Sequence, residues 1–362
     1  MPLAPAGNHG AQLLYHDSGA PAASNSYVTL VLFHGAVFHS PIFQRLFEFA
    51  AGLSLRLVTV TLRDYPGSTP LTPDELDALR SPNRDVQASM IKDRGHELAF
   101  FLEWFIRTEN IPPLEPSDDP NASRNGGLAI LAWSWGNCMA LSFLSHGDSL
   151  PTDTKELLNS YMRTYVIYDP PPFVFGVPDP PLEEIYSPLR DPNIPREQIG
   201  PLFSLWVASY FSHSPSVLSS ISTSTREELL SGLARSSKAN PSPDREPTLQ
   251  RMSAAEIAEV ADMPVMARSH TLMMQVDRSI YYENAQRAFS NTELWPNFQA
   301  VMVWCDMSHP DIINAAWNFH KMSTHYSSSG GRKVVMRRYE GANHFAHWDQ
   351  PERTLRLLAE IV

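Results

Sequence analysis

Ser134 stands between two tryptophans in Leu131-Ala132-Trp133-Ser134-Trp135-Gly136-Asn137-Cys138, where a short apolar run passes into a segment of helical character. A serine hydroxyl attacks a carbonyl only when a base takes its proton, and a histidine base works best when a third group fixes its tautomer. The matching histidine is His344, in Gly341-Ala342-Asn343-His344-Phe345, after the last predicted strand and ahead of a helix announced by Asp349-Gln350-Pro351-Glu352. His347 competes for the role, but its place in HFAHWDQP puts it at the rim of that helix. Carboxylates follow Ser134 at two strand ends: Asp169 after the run 164–168, and Asp306 and Asp311 after the run 298–305. Asp169 is favoured over Asp306, because Pro170-Pro171-Pro172 restricts the backbone beside it while Asp306 follows its strand too closely.

Charge developing on the attacked carbonyl needs N–H donors. Gly35, in Phe33-His34-Gly35-Ala36-Val37, lets a backbone N–H turn toward the site, so the expected pair is Ala36 and Trp135, with Val37 the alternative to Ala36. His34 is expected to be structural. The spacing His344-x-x-His347 implies no metal, since no third ligand is near. No cofactor is required.

These residues need a scaffold that brings strand ends together. Residues 27–33, 55–62, 128–133, 164–168, 298–305 and 333–338 are short apolar or β-branched runs ending at turn residues, and read as strands. Helical patterns at 41–53, 84–109, 136–145, 311–322 and 351–361 alternate with them, which implies a parallel sheet covered on both faces. Context also separates Ser134 from a decoy: Ser327-Ser328-Ser329-Gly330-Gly331 fits the same small-x-Ser-x-Gly pattern, but in a polar loop with no strand before it. From Pro170 to about Asn291 the alternation stops, and the segment reads as a mostly helical insertion. The expected organisation is a core of 1–169 and 292–362 with a lid of 170–291.

With 28 Lys+Arg against 39 Asp+Glu and a net charge of -11, nucleic acid is excluded as a partner. The first basic residue is Arg45, no apolar run is long enough for a membrane helix, and only Cys138 and Cys305 are present, so a cytoplasmic protein without a signal peptide is expected. The sequon Asn121-Ala122-Ser123 is read as chance. Composition leaves the oligomeric state open.

Four of these segments together resemble the α/β-hydrolase superfamily, over most of the chain apart from the insertion. His34-Gly35 resembles its oxyanion motif, and Arg63-Asp64-Tyr65-Pro66-Gly67-Ser68 its Asp/Arg-x-x-Gly-x-Ser turn. Ala132-Trp133-Ser134-Trp135-Gly136 resembles its nucleophile elbow, with Ala where Gly is usual, and Gly341 to Phe345 resembles its histidine loop. The resemblance implies an α/β class chain with the α/β-hydrolase fold, a mostly parallel sheet flanked by helices, and a helical lid inserted between two late strands. It implies a triad of Ser134, His344 and a carboxylate, for which Asp169 is favoured and Asp306 is the alternative. The usual acid of the family follows the later strand, at a spacing that falls here on Ser308; a minority, including some fungal lactone hydrolases, places it where Asp169 stands.

The activity so implied is hydrolysis of an ester or lactone of a small hydrophobic molecule, in secondary metabolism or detoxification. Acyl transfer or carbon–carbon cleavage by the same triad, and a receptor with little turnover, are the alternatives. Val37, Trp135, Trp206 and Tyr210 are the expected substrate contacts, with Met266, Met273 and Met274 as further apolar lining. Trp133 is expected to pack beneath the elbow, and Trp135 to flatten the acyl pocket.

Overall fold

The computed structural model describes residues 2–7, 10–22, 26–115 and 125–362, so the sequon at Asn121 lies outside the described residues. Six strands run parallel: β3 (Val28–Phe33), β4 (Leu55–Thr61), β5 (Leu128–Trp133), β6 (Met162–Tyr168), β7 (Gln299–Cys305) and β8 (Val334–Tyr339). All six were expected from their apolar runs. Two more, β1 (Leu3–Pro5) and β2 (Gln12–Asp17), add an antiparallel edge, giving the order β1-β2-β4-β3-β5-β6-β7-β8. These two escape a periodicity reading because β1 is three residues long and β2 carries Gln12, His16 and Asp17.

The parallel strands are buried on both faces, which is why they read as continuous apolar runs rather than alternating ones. Leu30 and Leu32 join the core on one side of the sheet, Val31 and Phe33 the core on the other. The helix Arg84–Glu109 lies against the helix Gly136–Ser145, and Ser142 Oγ donates to the Ile91 carbonyl at 2.8 Å where they meet. Every residue of Gly136–Ser145 is buried. The helix expected at 41–53 is instead broken into a 3-10 segment Ser40–Leu46, one α turn Phe47–Ala50 and a 3-10 turn Ala51–Leu53, stopped by Ser54 at φ 55°.

Between β6 and β7 the chain is helical, with Arg196–Val207, Arg226–Gly232 and Ala254–Val260 among its helices and no strand among the described residues. The helix Arg278–Ser290, inside the expected insertion, packs on Gly136–Ser145 and on Pro310–Ser328. It is part of the layer that covers the sheet, so the segment reaching over the strand ends is shorter than 170–291. That segment is tied to the core at many places, two of them built on carboxylates with buried side chains. Asp349 accepts from Tyr210 Oη and Thr248 Oγ1, each at 2.7 Å, and pairs with Arg251; Arg268 pairs with Asp64 and donates to the Leu71 carbonyl at 2.6 Å.

Candidate active site

β3, β5, β6 and β8 all point their carboxyl ends to one edge of the sheet, and the expected chemical residues leave from those ends. Ser134 follows β5 with φ 53°, a left-handed conformation that costs a non-glycine residue free energy and recurs at functional turns. Its N–H donates to the Tyr168 carbonyl at 2.9 Å, and the Ser134 carbonyl accepts from Asn137 Nδ2 at 2.8 Å. Glycine is required beside it: a Cβ on Gly136 would stand 2.4 Å from the His34 carbonyl oxygen, and one on Gly35 would stand 3.0 Å from Ser134 Cβ. The hydroxyl therefore sits at the amino end of Gly136–Ser145, where the helix dipole favours negative charge.

His344 is buried, and its Nδ1 lies 2.6 Å from Asp169 Oδ2. Asp169 has no exposed surface, and φ 49° turns it off the end of β6. Its Oδ1 accepts from the Cys305 N–H at 2.7 Å, and its Oδ2 also accepts from Ser308 Oγ at 2.6 Å. A carboxylate only accepts, so His344 donates from Nδ1 and keeps Nε2 free to take a proton. Ser308, at the position where the resemblance would put the acid, is instead a donor to Asp169 at the end of the neighbouring strand. Asp306 makes no bond to His344: it accepts from Arg338 Nε at 2.9 Å and from the Gly341 N–H at 2.7 Å, bracing the turn that leads to the histidine. Trp133 Nε1 donates to the His344 carbonyl at 3.1 Å, with the two rings 4.9 Å apart. Sequence reasoning missed this anchor.

Among the described residues, the N–H groups of Ala36 and Trp135 take part in no hydrogen bond, and both residues border the same cavity as Ser134 and His344. Val37 is excluded as a donor, because its N–H is given to Tyr65 Oη at 2.7 Å. That bond accounts for the turn at 63–68: it delivers Tyr65 beneath the loop that carries Ala36. His34 is structural. Its Nδ1 reaches the Gly35 carbonyl at 2.8 Å, its Nε2 accepts from the Leu62 N–H at 3.0 Å, and burial holds it well below the ordinary histidine range. His347 does not compete with His344; it lies buried behind Trp133 and Phe43 and does not border the cavity.

The cavity has a volume of about 680 Å³. Phe38, Phe203, Trp206, Val207 and Met266 supply apolar wall, and Trp135 borders it with its ring tilted 43° against His270, 4.0 Å between centroids. Two expected contacts are corrected. Val37 has no exposed surface and does not border the cavity; Tyr210 is turned to Asp349, where its hydroxyl ties the insertion to the histidine loop. Met274 lines the cavity as expected, whereas Met273 packs into the core. Ser134 and His344 border the cavity without a hydrogen bond between them, a contact that commonly tightens only around bound substrate. Among the described residues no cluster of His, Cys, Asp and Glu could hold a metal, and no helix is long and apolar enough to cross a membrane.

A family model described as "Alpha/beta hydrolase family" matches residues 30–357. No curated protein matches the chain. Similar solved structures include the haloalkane dehalogenase DatA from Agrobacterium tumefaciens C58, 12% identical, with a TM-score of 0.52 over 99% of this chain and 95% of that one. Est816, an N-acyl homoserine lactone degrading enzyme, is 13% identical, with a TM-score of 0.52 over 99% of this chain and 100% of that one. A loop variant of the haloalkane dehalogenase DbeA from Bradyrhizobium elkanii is 13% identical, with a TM-score of 0.51 over 99% and 95%. At these identities the likeness concerns the fold.

Proposed function

The chain belongs to the alpha/beta hydrolase family, and from that premise we propose that it is a serine hydrolase cleaving a carboxylic ester or lactone of a small hydrophobic molecule. The observation that carries the reading is the 2.6 Å bond from the Nδ1 of His344, which borders the same cavity as Ser134, to the buried Asp169 behind it. Ser134 Oγ attacks the carbonyl carbon as His344 Nε2 takes its proton, and the oxyanion is held by the N–H groups of Ala36 and Trp135. His344 returns the proton to the leaving alkoxide, which departs as an alcohol. Water then gives a proton to His344, attacks the acyl-serine, and releases the acid with Ser134 restored. Asp169 accepts from Nδ1 throughout and holds the imidazole in that tautomer.

The nucleophile's chemistry favours an acyl substrate over a halide or an epoxide. Displacement at a saturated carbon by Ser134 would leave an ether, which histidine-activated water does not cleave; an acyl-serine it does. Two free N–H groups beside the serine also have a purpose when a carbonyl oxygen becomes an anion. The apolar walls support a hydrophobic substrate, and the indole of Trp135 beside the oxyanion donors favours a planar acyl group.

Reaction with a fluorophosphonate followed by peptide mapping tests this. Labelling is expected at Ser134 and lost in Ser134→Ala; an unlabelled wild-type protein would leave a binding protein on a hydrolase scaffold. Product analysis with and without a competing alcohol separates hydrolysis from acyl transfer.

A further inference from the structure

One acidic group in the cavity wall has no part in the mechanism above. Asp311 occupies the first turn of the helix Pro310–Ser328 and borders the same cavity as Ser134 and His344. Its side chain is 14% exposed, and its ionic neighbours are far: Arg190 Nη2 at 3.8 Å and His309 Nδ1 at 3.9 Å. Neither carboxyl oxygen makes a hydrogen bond among the described residues, and neither is sealed away from the cavity. Burial raises its pKa to about 7, more than Arg190 offsets.

The surroundings narrow what Asp311 could meet. Arg190 is held by the Pro180 carbonyl and by the Ile185 carbonyl at 2.6 Å, and at 3.8 Å from Asp311 it balances charge without making a hydrogen bond. Asp179 is paired with Arg278 at 2.9 Å. His309 lies between Trp206, 4.3 Å away ring to ring, and His344, 5.2 Å away. Burial holds His309 well below the ordinary range, so it is neutral. Its Nδ1 and Trp206 Nε1 are both buried without partners. With one cation already beside Asp311, a ligand ammonium is not called for; a neutral hydrogen-bond donor is. A first-turn carboxylate does complement the helix dipole, but that role asks nothing of the cavity. It leaves an acceptor open to the cavity with no protein donor among the described residues bonded to it.

We propose that Asp311 is a specificity residue that accepts a hydrogen bond from a substrate hydroxyl, which makes the substrates of this site hydroxylated esters or lactones. The naming of an ester or lactone rests on the reading of Ser134 as nucleophile; the hydroxyl subsite does not. His309 stands between His344 and Asp311, so the hydroxyl belongs to a part of the molecule lying past the scissile carbonyl. A site built to bond a hydroxyl rejects the analogue lacking it, because its own polar group is then left unpaired.

Calorimetric binding to the full chain carrying Ser134→Ala tests the subsite without turnover. The probes are aryl alkanoates of increasing chain length, each with a terminal methyl, hydroxyl or amino group. At pH above about 8, where a carboxyl that burial raises to about 7 is ionised, the hydroxyl form is expected at one matching length to bind roughly ten- to hundredfold tighter than the methyl form, the range of a hydrogen bond to a charged acceptor. Adding Asp311→Leu should collapse that ratio to within about twofold, and adding Asp311→Asn, which keeps an acceptor and the side chain's shape, should retain part of it. Near-ultraviolet circular dichroism checks that both variants are folded, and the Asn variant carries the test if the Leu variant is not. A ratio near one at every length, a ratio that survives Asp311→Leu, or tighter binding of the amino form overturns the proposal. Failure of the fluorophosphonate to label Ser134 would remove the hydrolase reading and leave this ratio standing; a flat ratio beside intact labelling would do the reverse.

Discussion

Replacing Asp169 by Asn should abolish activity while leaving the fold in place, and the reason lies in three hydrogen bonds. Asp169 accepts from Cys305 N–H at 2.7 Å, Ser308 Oγ at 2.6 Å and His344 Nδ1 at 2.6 Å. An Asn side chain is the same shape and keeps its oxygen on the Cys305 N–H, which can only donate. Its amide nitrogen then occupies the place of Oδ2. Ser308 adapts by rotating its hydroxyl to accept, but His344 Nδ1 must also become an acceptor, which moves the imidazole proton to Nε2. A protonated Nε2 cannot take the proton of Ser134. In a serine protease the corresponding change lowers turnover by about 10⁴, and a similar loss is expected here in ester turnover and in the rate of fluorophosphonate labelling. Asp306→Asn is the control. It weakens the bonds to Arg338 and Gly341 without touching the imidazole, so it should lower thermal stability and leave labelling within about threefold, as expected of a brace rather than a triad member. Full labelling in Asp169→Asn, or its loss in a folded Asp306→Asn, would refute this reasoning.

Two further outcomes follow from the same structure. Trp133→Phe removes the bond from Nε1 to the His344 carbonyl while keeping an aromatic ring under the loop; a loss of about 1 kcal/mol in stability and a lower kcat with little change in KM are expected, measured by denaturant unfolding and steady-state kinetics. His270, wholly buried against Trp135 with its Nδ1 unpartnered, is held at about 3 by burial. Its folded value is depressed, so between pH 6.5 and about 3 the unfolded chain binds the extra proton, and stability falls as pH falls through that window. The slope from this one group is at most about 1.4 kcal/mol per pH unit, and unfolding midpoints at pH 7 and pH 5 should lie closer together in His270→Phe than in wild type.

The local patterns were legible wherever the chemistry is carried by neighbours in the chain. A buried strand, a serine and a glycine in the next turn, then an apolar helix, single out Ser134, because a backbone folding back that sharply needs small residues two positions to either side, here Ala132 and Gly136. The six parallel strands were readable for a related reason: burial on both faces makes each an unbroken apolar run. The edge hairpin was not, because a three-residue strand has no periodicity to show.

What the chain order left open was every question about where a side chain points across the sheet. Asp169 and Asp306 end adjacent strands, both carboxylates lie within one side chain's reach of the histidine loop, and their local sequences rank them only weakly. A positive φ swings Asp169 under His344, while Arg338 from β8 and the Gly341 N–H hold Asp306 on the other side of that loop. Val37 and Tyr210 were misplaced for the same reason, since the partners that claim them, Tyr65 and Asp349, are 28 and 139 residues away. Sequence determined which residues could act, because backbone geometry is a local property; only the tertiary structure decided which of them meet, because hydrogen bonds are directional and their partners come from distant parts of the chain.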